Sequence, residues 1–113
     1  MPDLNDGIVI RGLSKAGAFA KEETDENSRL TEASVNSREG STEKDLRAVS
    51  QGMTRDNFKV GFAYTTVAKI KKAGGRVMTA KVNGNANHCQ IFGLKLTEAN
   101  NLFSGVHSWD EIP

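Results

Sequence analysis

The chain of 113 residues has a single cysteine, Cys89. That count excludes an internal disulfide and a thiolate zinc cluster, leaves stability to packing, and points to a reducing working compartment. Aromatic residues make up 6% of the chain and hydrophobic residues 37%, so the expected core is small and aliphatic, in a thin two-layer fold. No apolar run approaches the ~20 residues of a membrane span, and no membrane partner is expected. The segment Met1 to Asp6 lacks the basic and apolar regions of a signal peptide. The expected location is therefore the cytoplasm of a producing or a target cell. Export would use a route that reads no such signal, or would carry the chain as the excised end of a longer protein. The two histidines, His88 and His107, have no cysteine or carboxylate at zinc-site spacing, so no metal is expected.

Acids are missing from one long stretch. Fifteen Lys and Arg against fourteen Asp and Glu give a formal charge of +1, which argues against a nucleic-acid-coating protein or a polybasic membrane binder. The sum conceals an asymmetry. Residues 1–50 carry ten acids and seven bases, residues 51–113 four acids and eight bases, and between Asp56 and Glu98 there are seven bases and no acid. Lys69, Lys71 and Lys72 fit a solvated helix face. The whole block fits attraction of a phosphorylated ligand, an RNA or an acidic partner.

Length sets one compact domain over residues 1–113. Ile8, Val9 and Ile10 read as a short buried strand with Arg11 at its end. Residues 21–40 are polar, with few large apolar side chains, and read as a loop or mobile segment. Ser41, Thr42 and Glu43 open a helix carrying Leu46, Val49 and Met53, with Gly52 as its stop. Phe58, Val60 and Phe62 alternate as a strand that runs on through Ala63 and Tyr64. Thr65 or Thr66 ends it and caps a short helix terminated by Gly74-Gly75. Further strands are expected at Arg76 to Val82 and His88 to Leu96, separated by the turn Asn83-Gly84-Asn85-Ala86-Asn87. Thr97 is placed as the cap of a last helix, Glu98 to Ser104, and Trp109 to Ile112 as a final short strand. This order predicts an α+β fold, a single small domain with a mostly antiparallel sheet and short helices.

Three motifs suit chemistry. Ile10-Arg11-Gly12 places a guanidinium, whose planar fork binds diphosphate or carboxylate, beside a glycine that permits close approach to the backbone. The alternative is a strand-end arginine paired with an acid of the polar segment. Tyr64-Thr65-Thr66 sets an aromatic beside two hydroxyls that would organise a ribose, or would simply cap a helix. Asn87-His88-Cys89 puts a histidine, the usual general acid or base near neutral pH, after an Asn-rich turn; a strand-start histidine held by a hydrogen bond explains it equally. Cys89 and His88 are adjacent on a strand and face opposite ways, so they form no dyad.

Ile10-Arg11-Gly12, the later aromatic-Thr-Thr strand, the short helix and Gly74-Gly75-Arg76-Val77 together resemble the ADP-ribosyltransferase fold, especially toxin domains at the ends of bacterial polymorphic effectors. The resemblance covers roughly residues 7 to 82. It implies a split sheet and NAD as substrate. Arg11 and Gly12 would hold the diphosphate, Tyr64, Thr65 and Thr66 would build the nicotinamide-ribose pocket, and His88 or Glu111 would take the catalytic role. Tyr64-Thr65-Thr66 stands where that family has Ser-Thr-Ser, and Trp109 precedes Glu111 where the family has its first glutamate. The implied activity is that of a secreted toxin in bacterial competition, by ADP-ribosyl transfer or NAD glycohydrolysis, with a protein or RNA target and a cognate immunity protein. Two other functions fit the residues: a metal-independent ribonuclease using His88 and His107, and a non-enzymatic interaction module such as an immunity or adaptor protein.

Overall fold

The computed structural model describes residues 3–14, 18–53 and 56–112. The β-branched run at Ile8 opens β1 (Ile8–Leu13), and strands β2 (Ala33–Ser37), β3 (Gly61–Thr66), β4 (Arg76–Thr79) and β5 (His88–Phe92) follow. They form one five-stranded sheet of order β3-β1-β2-β5-β4 in which all neighbours run antiparallel. Short helices α1 (Leu46–Val49), α2 (Val67–Lys72) and α3 (Leu96–Leu102) complete the α+β domain. The split of the sheet implied by the resemblance is not seen among the described residues, whose strands all join this one sheet.

Strand alternation sorts the side chains onto two faces. Val9, Leu13, Ala33, Val35, Ala63, Val77, Cys89 and Ile91 line one face with Val67, Ile70, Leu94, Ala99 and Phe103, which forms the main core. Burying each such Val, Leu or Ile stabilises the fold by roughly 1.5–3 kcal/mol. The other face holds a smaller cluster, Ile8, Ile10, Phe62 and Val49, with Leu46, Met53, Tyr64, Trp109 and Ile112 packed on it. This second cover lies over β3 and β1. Towards β5 and β4 the same face carries Ser34, which is exposed, and the half-buried Met78, His88, Gln90 and Phe92.

Several expectations are corrected. Residues 21–40 are not a loop throughout, because Ala33–Ser37 is the central strand of the sheet. Its two apolar residues, Ala33 and Val35, face the main core, and the polar side is satisfied by tertiary partners. Asn36, 2% exposed, directs its amide nitrogen to the carbonyls of Val49 at 2.8 Å and Gln51 at 3.1 Å. It also exchanges hydrogen bonds with the Asn85 amide at 3.0 and 2.8 Å. Phe58 does not extend β3; it turns its ring onto Gly12, where a Cβ would overlap the ring. The last helix begins at Leu96 with Lys95 at its cap, ahead of Thr97, because Lys95 first pairs with Arg29 as an isolated bridge. Trp109–Glu111 is a 3-10 turn, since the Ser108 and Glu111 side chains cap each other's amides. The Thr66 expectation holds: its hydroxyl accepts from the Lys69 amide at 3.2 Å at the start of α2.

Asn36→Ala removes the donors that hold the carbonyl end of α1 against the sheet. A loss of about 1–3 kcal/mol is expected from stranding those buried carbonyls, read as a lower urea midpoint at unchanged slope.

Candidate functional site

The sequence-predicted residues fall into three places. Arg11 leaves β1 on the main-core face, where each of its three guanidinium nitrogens donates within the chain. Nε donates to the Ala18 carbonyl at 3.0 Å, one terminal nitrogen to the Ser34 carbonyl at 2.7 Å, and the other to the Glu23 carboxylate at 2.6 Å. The Phe19 ring lies 4.5 Å beneath the guanidinium carbon. The fork that would have bound a diphosphate closes on an acid of the polar segment, the simpler of the two sequence readings. Thr65 on the same face is buried, 5% exposed, and Thr66 caps α2.

Tyr64 and Glu111 meet at the β3 edge of the opposite face. The Tyr64 ring lies 4.9 Å from His107 and 6.1 Å from Phe62. His107 Nδ1 faces the Glu111 carboxylate at 3.1 Å, and the same carboxylate accepts from the Ser108 amide at 2.8 Å. The His107 contact, then the Ser108 amide, lower the Glu111 carboxyl below its ordinary value. Burial first, then the Glu43 carboxylate and its hydrogen bond, raise the Tyr64 phenol. Trp109 closes the cluster over Phe62 and donates its indole N–H to the Phe58 carbonyl at 2.8 Å.

His88 and Gly12 belong to a third place, a cleft on the open half of the same face. Gly12, Ser34, Asn36 and His88 form its floor across β1, β2 and β5, and Gly52, Met53, Asn57, Phe58 and Asn85 rise around them, with Arg11 at the margin. Its volume is about 180 Å³, below the ~300 Å³ usual for a whole drug-sized ligand and enough for one small ring. The close approach to backbone that Gly12 permits is used by Phe58, which makes an apolar wall. Gly52, at φ +92°, lets the Asn85 side chain lie directly on the backbone that leaves α1.

The His88 ring is oriented by its own sheet. Nδ1 lies 2.7 Å from the Ala80 carbonyl oxygen, an acceptor only, so Nδ1 carries the proton of the neutral ring and Nε2 keeps its lone pair. Neighbouring Cys89 faces the main core, 1% exposed, and burial pushes its thiol up to about 11, so no thiolate is available at neutral pH. A second, more open hollow of about 560 Å³ shares Gly52 and Asn85 with the cleft and is lined by Arg38, Gln51, Lys81 and the turn 82–87. The sequence reading missed Arg38, Asn36 and Asn85 as site residues. The density of Asn in 83–87, just ahead of His88, hinted at Asn85; no local signal marked Asn36 or Arg38.

The three places do not converge. His88 pairs with Asn36, Asn36 with Ile10 and Ile10 with Tyr64, which sets His88 and Tyr64 about 14 Å apart at the ~4.8 Å strand spacing. His107 pairs outside β3 with Phe62, four strand positions from β5, roughly 19 Å. That distance separates the two histidines too far for one phosphate, so a ribonuclease site using both is not assembled.

Arg11→Met should lower stability by about 2–3 kcal/mol, because it strands the Glu23 carboxylate and two carbonyls; chemical denaturation measures it. The lowered Glu111 carboxyl stabilises the fold above its ordinary 4.5 and loses that contribution as pH falls through the depressed folded value. In a carboxyl-resolved NMR titration, His107→Ala should move the Glu111 midpoint up towards 4.5. No family model, no curated protein and no solved structure matches the chain.

Proposed function

We propose that the chain binds a nucleotide in the cleft between Phe58 and His88 and presents His88 to it as a proton acceptor. The observation that carries this reading is the fixed tautomer of His88, held by the Ala80 carbonyl at 2.7 Å on the floor of a ring-sized cleft. NAD is the nucleotide that the resemblance puts first, and a toxin or effector domain consuming NAD is the corresponding role. In that reaction the bond between ribose and nicotinamide breaks with its electron pair leaving on nicotinamide. Water or a target nucleophile forms the new bond at the same carbon, and His88 Nε2 takes the proton that the nucleophile gives up. The target is a protein or an RNA, and a cognate immunity protein would act by covering this face.

The assignment of groups differs from the one the resemblance implies. Arg11, Thr65 and Thr66 serve the fold, Tyr64 and Glu111 stand about 14 Å or more away, and His88 alone of the candidate acid–base groups lines the cleft. A second reading, a non-enzymatic immunity or adaptor module, is favoured by that same commitment of Arg11, Thr66 and Glu111 to internal bonds.

Nicotinamide release from NAD and NAD-dependent thermal stabilisation test the proposal. A rise in melting temperature with NAD is expected, and His88→Ala should reduce turnover by about 10²–10⁴-fold, the usual contribution of a positioned acid–base group. Absence of both turnover and stabilisation removes the NAD reading. Partner binding that survives replacement of His88 supports the interaction module.

A further inference from the structure

The hollow beside the cleft has a composition that the proton acceptor alone does not explain. Arg38 and Lys81 both line it, together with the turn containing Asn85 and Asn87. Both cations are exposed, and neither enters an ion pair among the described residues. Arg38 is positioned by a 3.4 Å contact from its Nε to the Asn87 amide oxygen, while Asn87 in turn donates to the Ala48 carbonyl at 3.0 Å. Arg76, by contrast, is engaged by Asp3 in two bonds of 2.9 Å and the internal Arg11 by Glu23, while Lys69 and Lys72, which also enter no ion pair among the described residues, share their hollow with Glu98. Among the described residues, no acid lines either hollow. Two cations that enter no ion pair among the described residues, lining a basin where those residues place no acid, attract a dianion.

We infer that the basin is a phosphate subsite, with Arg38 and Lys81 gripping the phosphate of a nucleotide whose base enters the 180 Å³ cleft against Phe58 and beside His88. This rests on the nucleotide reading above and adds the location of the phosphate. A base offers an apolar face to Phe58 and Met53 and a polar edge to the Asn85 amide, which matches the mixed lining of the cleft and leaves His88 Nε2 free to accept a proton. Gly52 and Asn85, common to both hollows, mark the position of the sugar that joins base to phosphate. The phosphate therefore lies on the opposite sheet face from the Arg11 side chain.

Calorimetric titration of the full chain with adenosine and with adenosine 5′-monophosphate tests it. The monophosphate is expected to bind about tenfold tighter, and Arg38→Gln and Lys81→Gln each to reduce that gain while leaving adenosine affinity unchanged. Both side chains are exposed, so the variants should fold, and circular dichroism checks this. Equal binding of nucleoside and monophosphate, or a gain that survives both substitutions, overturns the phosphate subsite and leaves the nucleotide reading standing. Failure of both ligands and of NAD overturns that reading, and the subsite with it. Within the expected outcome, NAD binding more tightly than an oligoadenylate identifies a dinucleotide as the source of the phosphate. The reverse order, with a steep salt dependence, identifies an RNA.

Discussion

The Asn36 carboxamide sits at 2% exposure in the central strand of the sheet, where an unsatisfied amide is strongly unfavourable. Every bond it makes joins a different part of the chain: two carbonyls at the end of α1, and the Asn85 amide of the turn before β5. A hydrophobic residue there would seal α1 directly onto the sheet. The amide instead holds α1 by its carbonyl end, and a cleft bounded by Gly52, Met53 and Asn85 lies beside it. The polar strand, the placement of α1 and the candidate site thus depend on one buried side chain.

The Arg11 clasp plays the corresponding role on the other face. Its guanidinium ties the Ala18 carbonyl, the β2 backbone and Glu23 to β1, so the acidic early segment is anchored to the sheet through one cation. The charge asymmetry of the chain gains a structural meaning from this. The early acid Glu23 is spent on an internal arginine, and Asp3 on Arg76, while Lys81 and Arg38 are left without an acid partner among the described residues. Near-neutral net charge is then compatible with a basin that favours anions.

Local patterns were legible where the physics is local. The Ile8-Val9-Ile10 strand, the Thr66 cap and the Asn-Gly turn before β5 depend on neighbours within a few residues. β2 was illegible because Ala33 and Val35 are its only apolar residues and its polar face is satisfied by residues 13 to 49 positions away. Phe58 read as strand by alternation, yet the space above Gly12, created only when β1 and β3 pair, draws it out of the strand. Of the candidate site residues, His88 was identified from its place after the Asn-rich turn. Its partner Ala80 and its neighbour Asn36 come from adjacent strands.

The sequence by itself determined the α+β class, the antiparallel sheet with short helices, the absence of an internal disulfide, and the basic, acid-free stretch between Asp56 and Glu98, because these follow from residue type and short-range periodicity. The tertiary structure decided which candidate groups meet. It gave Arg11 to Glu23, Tyr64 to His107, and His88 to a cleft with Asn36 and Asn85, since sheet order and strand face, which no local pattern encodes, set side-chain proximity.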